Sequence, residues 1–461
     1  MAATSSGRLS SEALVTQARL PRLASAAAPA PPGRSVVAVT SAAAGNPDVA
    51  PLVVRSVEIP DPGSLLALLP ADDPVAWLHH GDGMVGWGVA ARVNTGGADR
   101  FSAAQAWWRQ LVGRAVVRDE VGLPGSGLTA FGSFGFSDDT GAASVLTVPR
   151  VLVGSRRHDG GHRAWITVVG TDGIPSTPSL QPAVPAEAPQ HLRFSDGALS
   201  GGRWVGAVHE AVRRIGRGEV DKVVLARDLM AQAAGPVDVR WPLGRLAAAY
   251  PGCWTYHVDG LVGATPEVLV RRERGLVTSR VLAGTIRRTG DDQHDLALAA
   301  ALARSSKDLE EHEYAVRSVA DGLASHCSTV FVPEAPFVLH LPNVMHLATD
   351  VTGVLADDSG ALALAAALHP SAAVGGTPSV AAQRVLAALE QMDRDRYAAP
   401  VGWVAADGDG EWGIALRCGF VEGDRVRLFA GCGIVAGSQG DDELAESQAK
   451  FVPLRDALGP S

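Results

Sequence analysis

Two hydrophobic rhythms alternate along the chain, and their order predicts a mixed α and β protein. Short β-branched and apolar runs over 52–59, 75–79, 84–92, 129–136, 144–154 and 164–169 are separated by glycine turns and predict strands, with one helix over 103–112. These strands predict an antiparallel sheet layer. The stretch 171–189 is proline-rich and keeps no period, as a linker or long surface loop would. Beyond it, Val205, Val208, Val212 and Ile215 recur at the helical period and predict a helix over 204–215. A strand over 222–229, a helix over 243–250 and strands over 254–258, 261–264 and 268–272 follow. A long helical region over 295–326 carries Leu302, Leu309, Val316 and Leu323 at heptad spacing, a stripe expected to face the core. Strands over 401–405, 412–418 and 426–431, with hairpin signals at Asp407 to Gly410 and at Gly423-Asp424, read as an antiparallel meander. The meander leads into a glycine turn at Gly431 and Gly433 and then a helix, whose start Asp441 and Asp442 mark.

Composition narrows the class. With 461 residues, 46% hydrophobic and 19% charged, the chain can bury a large core. A net charge of −9 without a basic cluster argues against nucleic acid as a partner, and no apolar run approaches the length of a membrane span. Four scattered cysteines without a CxxC pair fit reduced thiols, not a zinc ribbon or disulfide framework. Residues 1–48 are rich in Ala, Ser and Pro and read as a disordered tail, although the Arg-rich, acid-poor character also mimics a transit peptide. Residues 49–195 are then the N-terminal sheet layer and 196–458 the catalytic region of one fold. The expectation is a cytoplasmic monomer acting on a small molecule.

One count points to chemistry. Of 40 basic residues only three are lysines, Lys222, Lys307 and Lys450. Lysine, unlike arginine, can lose its proton near neutral pH when desolvated. Lys222 opens an apolar strand and is a candidate base, or else a strand-end lysine that snorkels to water. Glu267 follows a turn between apolar runs, where a carboxyl can be kept protonated as an acid, or can simply be exposed. On the last helix Glu443, Glu446 and Lys450 fall within about 60° of one another, as a solvated face with an i,i+4 pair or as a site. Glu311 lies about 180° from Leu302 on a continuous helix, and so faces water or a wet cleft. Together with Glu443 and Glu446 it could form an all-oxygen site suited to Mg²⁺. The Gly431-x-Gly433 pattern is not a dinucleotide fingerprint, because only 28 residues follow Gly433.

Taken in order, these segments resemble the chorismate-utilising enzyme family. The resemblance is carried by Lys-Val-Val-Leu-Ala-Arg from Lys222, Ala-Thr-Pro-Glu ending at Glu267, and Leu-Ala-Gly-Thr-Ile-Arg-Arg from Leu282. It continues through Ser-Ser-Lys-Asp-Leu-Glu-Glu-His from Ser305, Met-His-Leu-Ala-Thr from Met345, and Leu-His-Pro from Leu368. Ala-Leu-Arg-Cys from Ala415, Arg-Leu-Phe-Ala-Gly-Cys-Gly-Ile-Val from Arg427 and the trailing Glu443, Glu446 and Lys450 complete it over about 200–455.

The resemblance implies an α/β (α+β) fold of large antiparallel sheets wrapped by helices, with the active site in the cleft. It implies Lys222 as base for an attacking water and Glu267 as acid for the leaving hydroxyl. Mg²⁺ would sit on Glu311, Glu443 and Glu446, and chorismate on Gly284, Thr285, His346, Arg417, Gly431, Gly433 and Lys450. Relatives that install an amine lack the base lysine, and one branch carries a nucleophilic lysine where this chain has Ala283. Water addition at C2 with loss of the C4 hydroxyl, giving isochorismate, is therefore expected. The chain departs from the family pattern at Val281, Leu309, Glu310 and the loop 372–376. A later lyase step yielding salicylate is the alternative reading, and a non-catalytic chorismate-binding member is another.

Overall fold

The computed structural model describes residues 51–158, 161–171 and 173–459. The expected N-terminal tail lies outside them. Among the described residues, twenty-one strands form one hydrogen-bonded network and eight α-helices cover it. Every ladder is antiparallel except the short pairing of Val53–Ile59 with Val116–Asp119. No helix among the described residues is long and apolar enough to cross a membrane.

Two sheet arms diverge from the long strand Ser144–His158. One runs through Asp82–Thr95, Val75–His79, Trp254–Val258, Leu261–Thr265, Cys418–Glu422 and Arg425–Ile434 to Lys222–Gln232. The other runs through Thr129–Ser133, Pro400–Ala405, Gly410–Ile414, Val268–Glu273 and Leu276–Arg287 to Val344–Leu355. Two short crossings carry the chain directly from one arm to the other, at Thr265 to Val268 and at Ile414 to Cys418. These two crossings lie side by side, joined by Ala264 N–H to the Arg417 carbonyl (3.4 Å) and Ile414 N–H to the Glu267 carbonyl (3.2 Å). Glu267 and Arg417 therefore occupy the corner where the sheets part.

Tryptophans fill the interior: Trp165, Trp204 and Trp412 are all fully buried. The helix Gly201–Gly216 buries Trp204, Val208 and Ala211, whereas Val205, Val212 and Ile215 of the expected stripe are only half-buried, and it packs beside the last helix, Gly440–Leu458.

Three sequence expectations change. The region 295–326 is two helices, Asp292–Leu302 and Ser306–Ala324. Ser305 breaks it by accepting the Asp308 N–H and capping a new helix, so the leucine stripe divides between two clusters. Residues 412–418 are not one strand: Gly410–Ile414 ends before the corner, and Cys418–Glu422 is a new strand on the other arm. Gly431 and Gly433 do not turn the chain, because Arg425–Ile434 runs straight through both. The turn comes later, before Gly440. The hairpins at Asp407 to Gly410 and at Gly423-Asp424 form as expected.

Candidate active site

Nine of the residues singled out from the sequence line one cavity between the arms: Glu267, Gly284, Thr285, Glu311, His346, Arg417, Gly431, Gly433 and Lys450. Lys222 lies behind Glu311, and Glu443 and Glu446 approach from the last helix. The cavity holds about 50 Å³. Ligand pockets usually exceed ~300 Å³, so a ring dicarboxylate enters only if side chains part.

Each wall has a local cause. On Lys222–Gln232, Lys222 and Val224 share a face, and Val224 pairs with Gly433 of the neighbouring strand. A Cβ on Gly433 would lie 1.9 Å from Glu311 Oε1, so the missing side chain makes room for that carboxylate. Opposite, the ladder bulges between Ala283 and Thr285, and Gly284 sits at φ +71°. Arg417 holds a left-handed backbone, φ +49°, at the second crossing. Its Nη2 donates to His346 Nε2 at 3.1 Å, and His346 Nδ1 in turn donates to the Gly284 carbonyl at 3.2 Å. Burial, with Arg417 and Lys450 nearby, holds the His346 pKa well below the usual value, so the ring is neutral and orients the guanidinium.

Glu267 is 4% exposed, which removes the exposed-turn reading. Burial raises its pKa to about 7, against the pull of the Leu282 N–H and of Lys222, Arg417 and Lys450. It accepts the Leu282 N–H at 3.4 Å. The carboxyl is thus poised to hold or give a proton near neutral pH.

The three lysines and the three candidate metal glutamates form three ion pairs. Lys222 Nζ lies 3.3 Å from Glu311 Oε1, Lys307 Nζ 2.8 Å from Glu443 Oε1, and Lys450 Nζ 2.6 Å from Glu446 Oε1. Burial acts to raise the Glu311 pKa, but Lys222, Lys450 and Lys307 together hold it below the usual value. Burial and the neighbouring Glu446 push Glu443 up, partly offset by Lys307. The Lys450 ammonium is desolvated, yet Glu446 keeps its pKa raised, and it also donates to the Gly431 carbonyl at 2.8 Å. The last helix is therefore not a solvated face: Glu443 is buried and Lys450 nearly so, although the i,i+4 pair itself is present.

This donor set fits a hard divalent cation. Carboxylate oxygens of Glu443 and Glu446 lie within 4.8 Å of each other and of Cys432 Sγ. Burial raises the Cys432 pKa well above the usual value, so its sulfur is a protonated thiol beside an oxygen site. Glu311 is not part of that 4.8 Å group; it is held by Lys222, although its charge acts on Lys307 together with those of Glu443 and Glu446. Sequence reasoning gave no role to Lys307 or to Tyr397, a cavity wall whose ring stacks on Phe429 at 5.2 Å. The lysine count pointed to Lys307, whereas nothing in the sequence singled out Tyr397.

Comparison with known proteins agrees with this architecture. Isochorismate synthase MenF of Bacillus subtilis is 36% identical over 260 residues, 56% of this chain and 55% of that one. Isochorismate synthase DhbC of the same organism is 39% identical over 264 residues, 55% of this chain and 66% of that one. These alignments thus span less than two thirds of either relative. The crystal structure of DhbC from Bacillus anthracis, described as a candidate 2,3-dihydroxybenzoate-specific isochorismate synthase, superposes with a TM-score of 0.71 at 29% identity, covering 86% of this chain and 98% of that one. A family model described as chorismate binding enzyme matches residues 71–459, and the chain belongs to that family.

Proposed function

We propose that the protein is an isochorismate synthase, converting chorismate reversibly to isochorismate with Mg²⁺. One observation carries the reading: a carboxyl with its pKa near 7, Glu267, lines the cavity, and a fully buried lysine, Lys222, stands behind the Glu311 wall of that cavity within reach of the Glu267 charge. An isomerisation that adds water at one ring carbon and expels hydroxide from another needs a base and an acid together. Lys222, once it has released its ammonium proton to water, takes the proton of the attacking water as that oxygen bonds to C2. Both ring double bonds shift, C1=C2 to C1=C6 and C5=C6 to C4=C5, the C4–O bond breaks, and Glu267 gives its proton to the departing oxygen, which leaves as water. Arg417, fixed by neutral His346, and Lys450 are placed to bind substrate carboxylates, while the Gly431 and Gly433 backbone leaves room for the ring. Glu311, Glu443 and Glu446 would hold Mg²⁺, which when bound supplies positive charge against a substrate carboxylate.

The test is incubation of pure protein with chorismate and Mg²⁺, with the products resolved. Isochorismate is expected. Pyruvate with salicylate would show that a lyase step follows, and anthranilate formed from ammonia would reject water as nucleophile. No product at all would leave a chorismate-binding protein without catalysis.

A further inference from the structure

Lys307 differs from the other two lysines of the cluster. Lys222 is fully buried and also donates to the Glu311 carbonyl at 3.3 Å, and Lys450 is tied to the Gly431 carbonyl. The Lys307 ammonium makes one hydrogen bond among the described residues, to Glu443, and its side chain is 39% exposed. It sits in the first turn of the helix Ser306–Ala324, where the helix dipole repels a cation. The helix gains nothing from it there. What holds it is the carboxylate cluster: Glu443, Glu311 and Glu446 all attract it.

Glu443 has the complementary need. Its side chain is 3% exposed, and a buried carboxylate without a partner cation is strongly disfavoured. Whenever it is ionised it therefore needs a cation near it. A divalent ion and the Lys307 ammonium repel each other at such close quarters, and of the three lysine side chains that of Lys307 is the most exposed, 39% against 12% for Lys450 and 0% for Lys222.

We infer that Lys307 is the resident counter-cation of the carboxylate cluster, and that a divalent ion binds by evicting it into solvent. The inference rests on the metal site proposed above. It gives the cluster two charge-balanced states, one closed by the chain's own lysine and one by the metal.

With only three lysines, the chain offers a clean readout. The intact protein is labelled briefly with acetic anhydride, with and without saturating Mg²⁺, and acetylation of each lysine is read by mass spectrometry while Mg²⁺ binding is followed by calorimetry. Labelling of Lys307 is expected to rise about tenfold with Mg²⁺, while Lys222 and Lys450 stay protected. Mg²⁺ binding with Lys307 labelling unchanged or reduced would overturn the eviction but keep the metal site. Absence of any binding heat, with unchanged labelling, would overturn both.

Lys307→Met gives an independent arm. Without metal its thermal midpoint is expected to fall by about 3 °C, and with saturating Mg²⁺ the difference should shrink to below about 1 °C. Mg²⁺ affinity should rise about tenfold, because nothing need be displaced. A deficit that persists at saturating Mg²⁺ would show that Lys307 stays on Glu443 in the loaded protein.

Discussion

Lys222 Nζ lies 3.3 Å from Glu311 Oε1, and the lysine is shut off from water entirely. Each charge in this pair depends on the other, since an isolated buried ion is far costlier than a buried pair. Lys222→Met should lower turnover by at least about 100-fold and lower stability by about 3 kcal/mol in urea unfolding. Adding Glu311→Gln should recover most of the lost stability, because no buried charge is then left unpaired, but none of the turnover. If the double variant is no more stable than Lys222→Met, the pair does not carry the stability assigned to it.

Glu267 sets a pH dependence of definite sign. Below pH 4.5 its carboxyl is protonated whether the chain is folded or not. Between pH 4.5 and about 7 the folded protein keeps a proton that the unfolded chain has released, so this group's contribution to stability falls as pH rises. Above about 7 the penalty is complete. Glu267→Gln should therefore raise stability at pH 8 by about 2 kcal/mol while removing most activity. In the parent protein kcat should fall above pH 7 as the acid loses its proton. Equal stability of parent and variant at pH 8, from urea curves at pH 4.5 and 8, would remove the buried-acid account.

How much of this could be read beforehand depended on what each residue answers to. The hairpin at Asp407 to Gly410 is local chemistry and was legible. The break at Ser305 was legible too: Ser305 with Asp308 three residues on is a capping signature, which the leucine spacing across it obscured. Glu311 does face the cleft, but its angle from Leu302 is no reason for that, since the two stand on different helices. Gly433 reads as a turn because its true requirement, space for a carboxylate 122 positions earlier, leaves no local mark. The crossing at Ala415 to Arg417 carries no glycine or proline either, because the parting of two sheets bends it. The order of Lys222, Glu267, Glu311, Glu443 and Glu446 was legible through family resemblance, and i,i+4 spacing already offered the pair of Glu446 with Lys450, while the pairs of Glu311 with Lys222 and of Glu443 with Lys307 needed coordinates.

Gly431 and Gly433 should respond differently to one added methyl group. At Gly433 the Cβ meets the end of the Glu311 side chain, which can swing aside. Gly433→Ala should keep the fold but lower turnover by at least about tenfold, through a displaced Glu311. At Gly431 the Cβ would lie 2.9 Å from the Leu225 carbonyl, which belongs to the neighbouring strand and cannot yield locally. Gly431→Ala should therefore cost about 1–3 kcal/mol of stability. Circular dichroism melts beside turnover would separate the two, and matching losses from both variants would contradict the difference drawn between them.

Glu446 offers the most direct test of the metal assignment. Its carboxylate pairs with Lys450 at 2.6 Å, but Lys450 is also held by the Gly431 carbonyl, so removing the charge need not unseat the lysine. Glu446→Gln deletes one of three carboxylates and should weaken Mg²⁺ binding by about tenfold or more in calorimetric titration. The Mg²⁺ concentration needed for half-maximal turnover should rise with it. Cys432→Ala is the matched control. Its sulfur lies as near as the carboxylates, yet a protonated thiol is a poor partner for a hard ion, so the Mg²⁺ titration should not move. An unchanged titration in Glu446→Gln would reject its ligand role, and a weakened one in Cys432→Ala would place sulfur in the donor set and argue for a softer metal than magnesium.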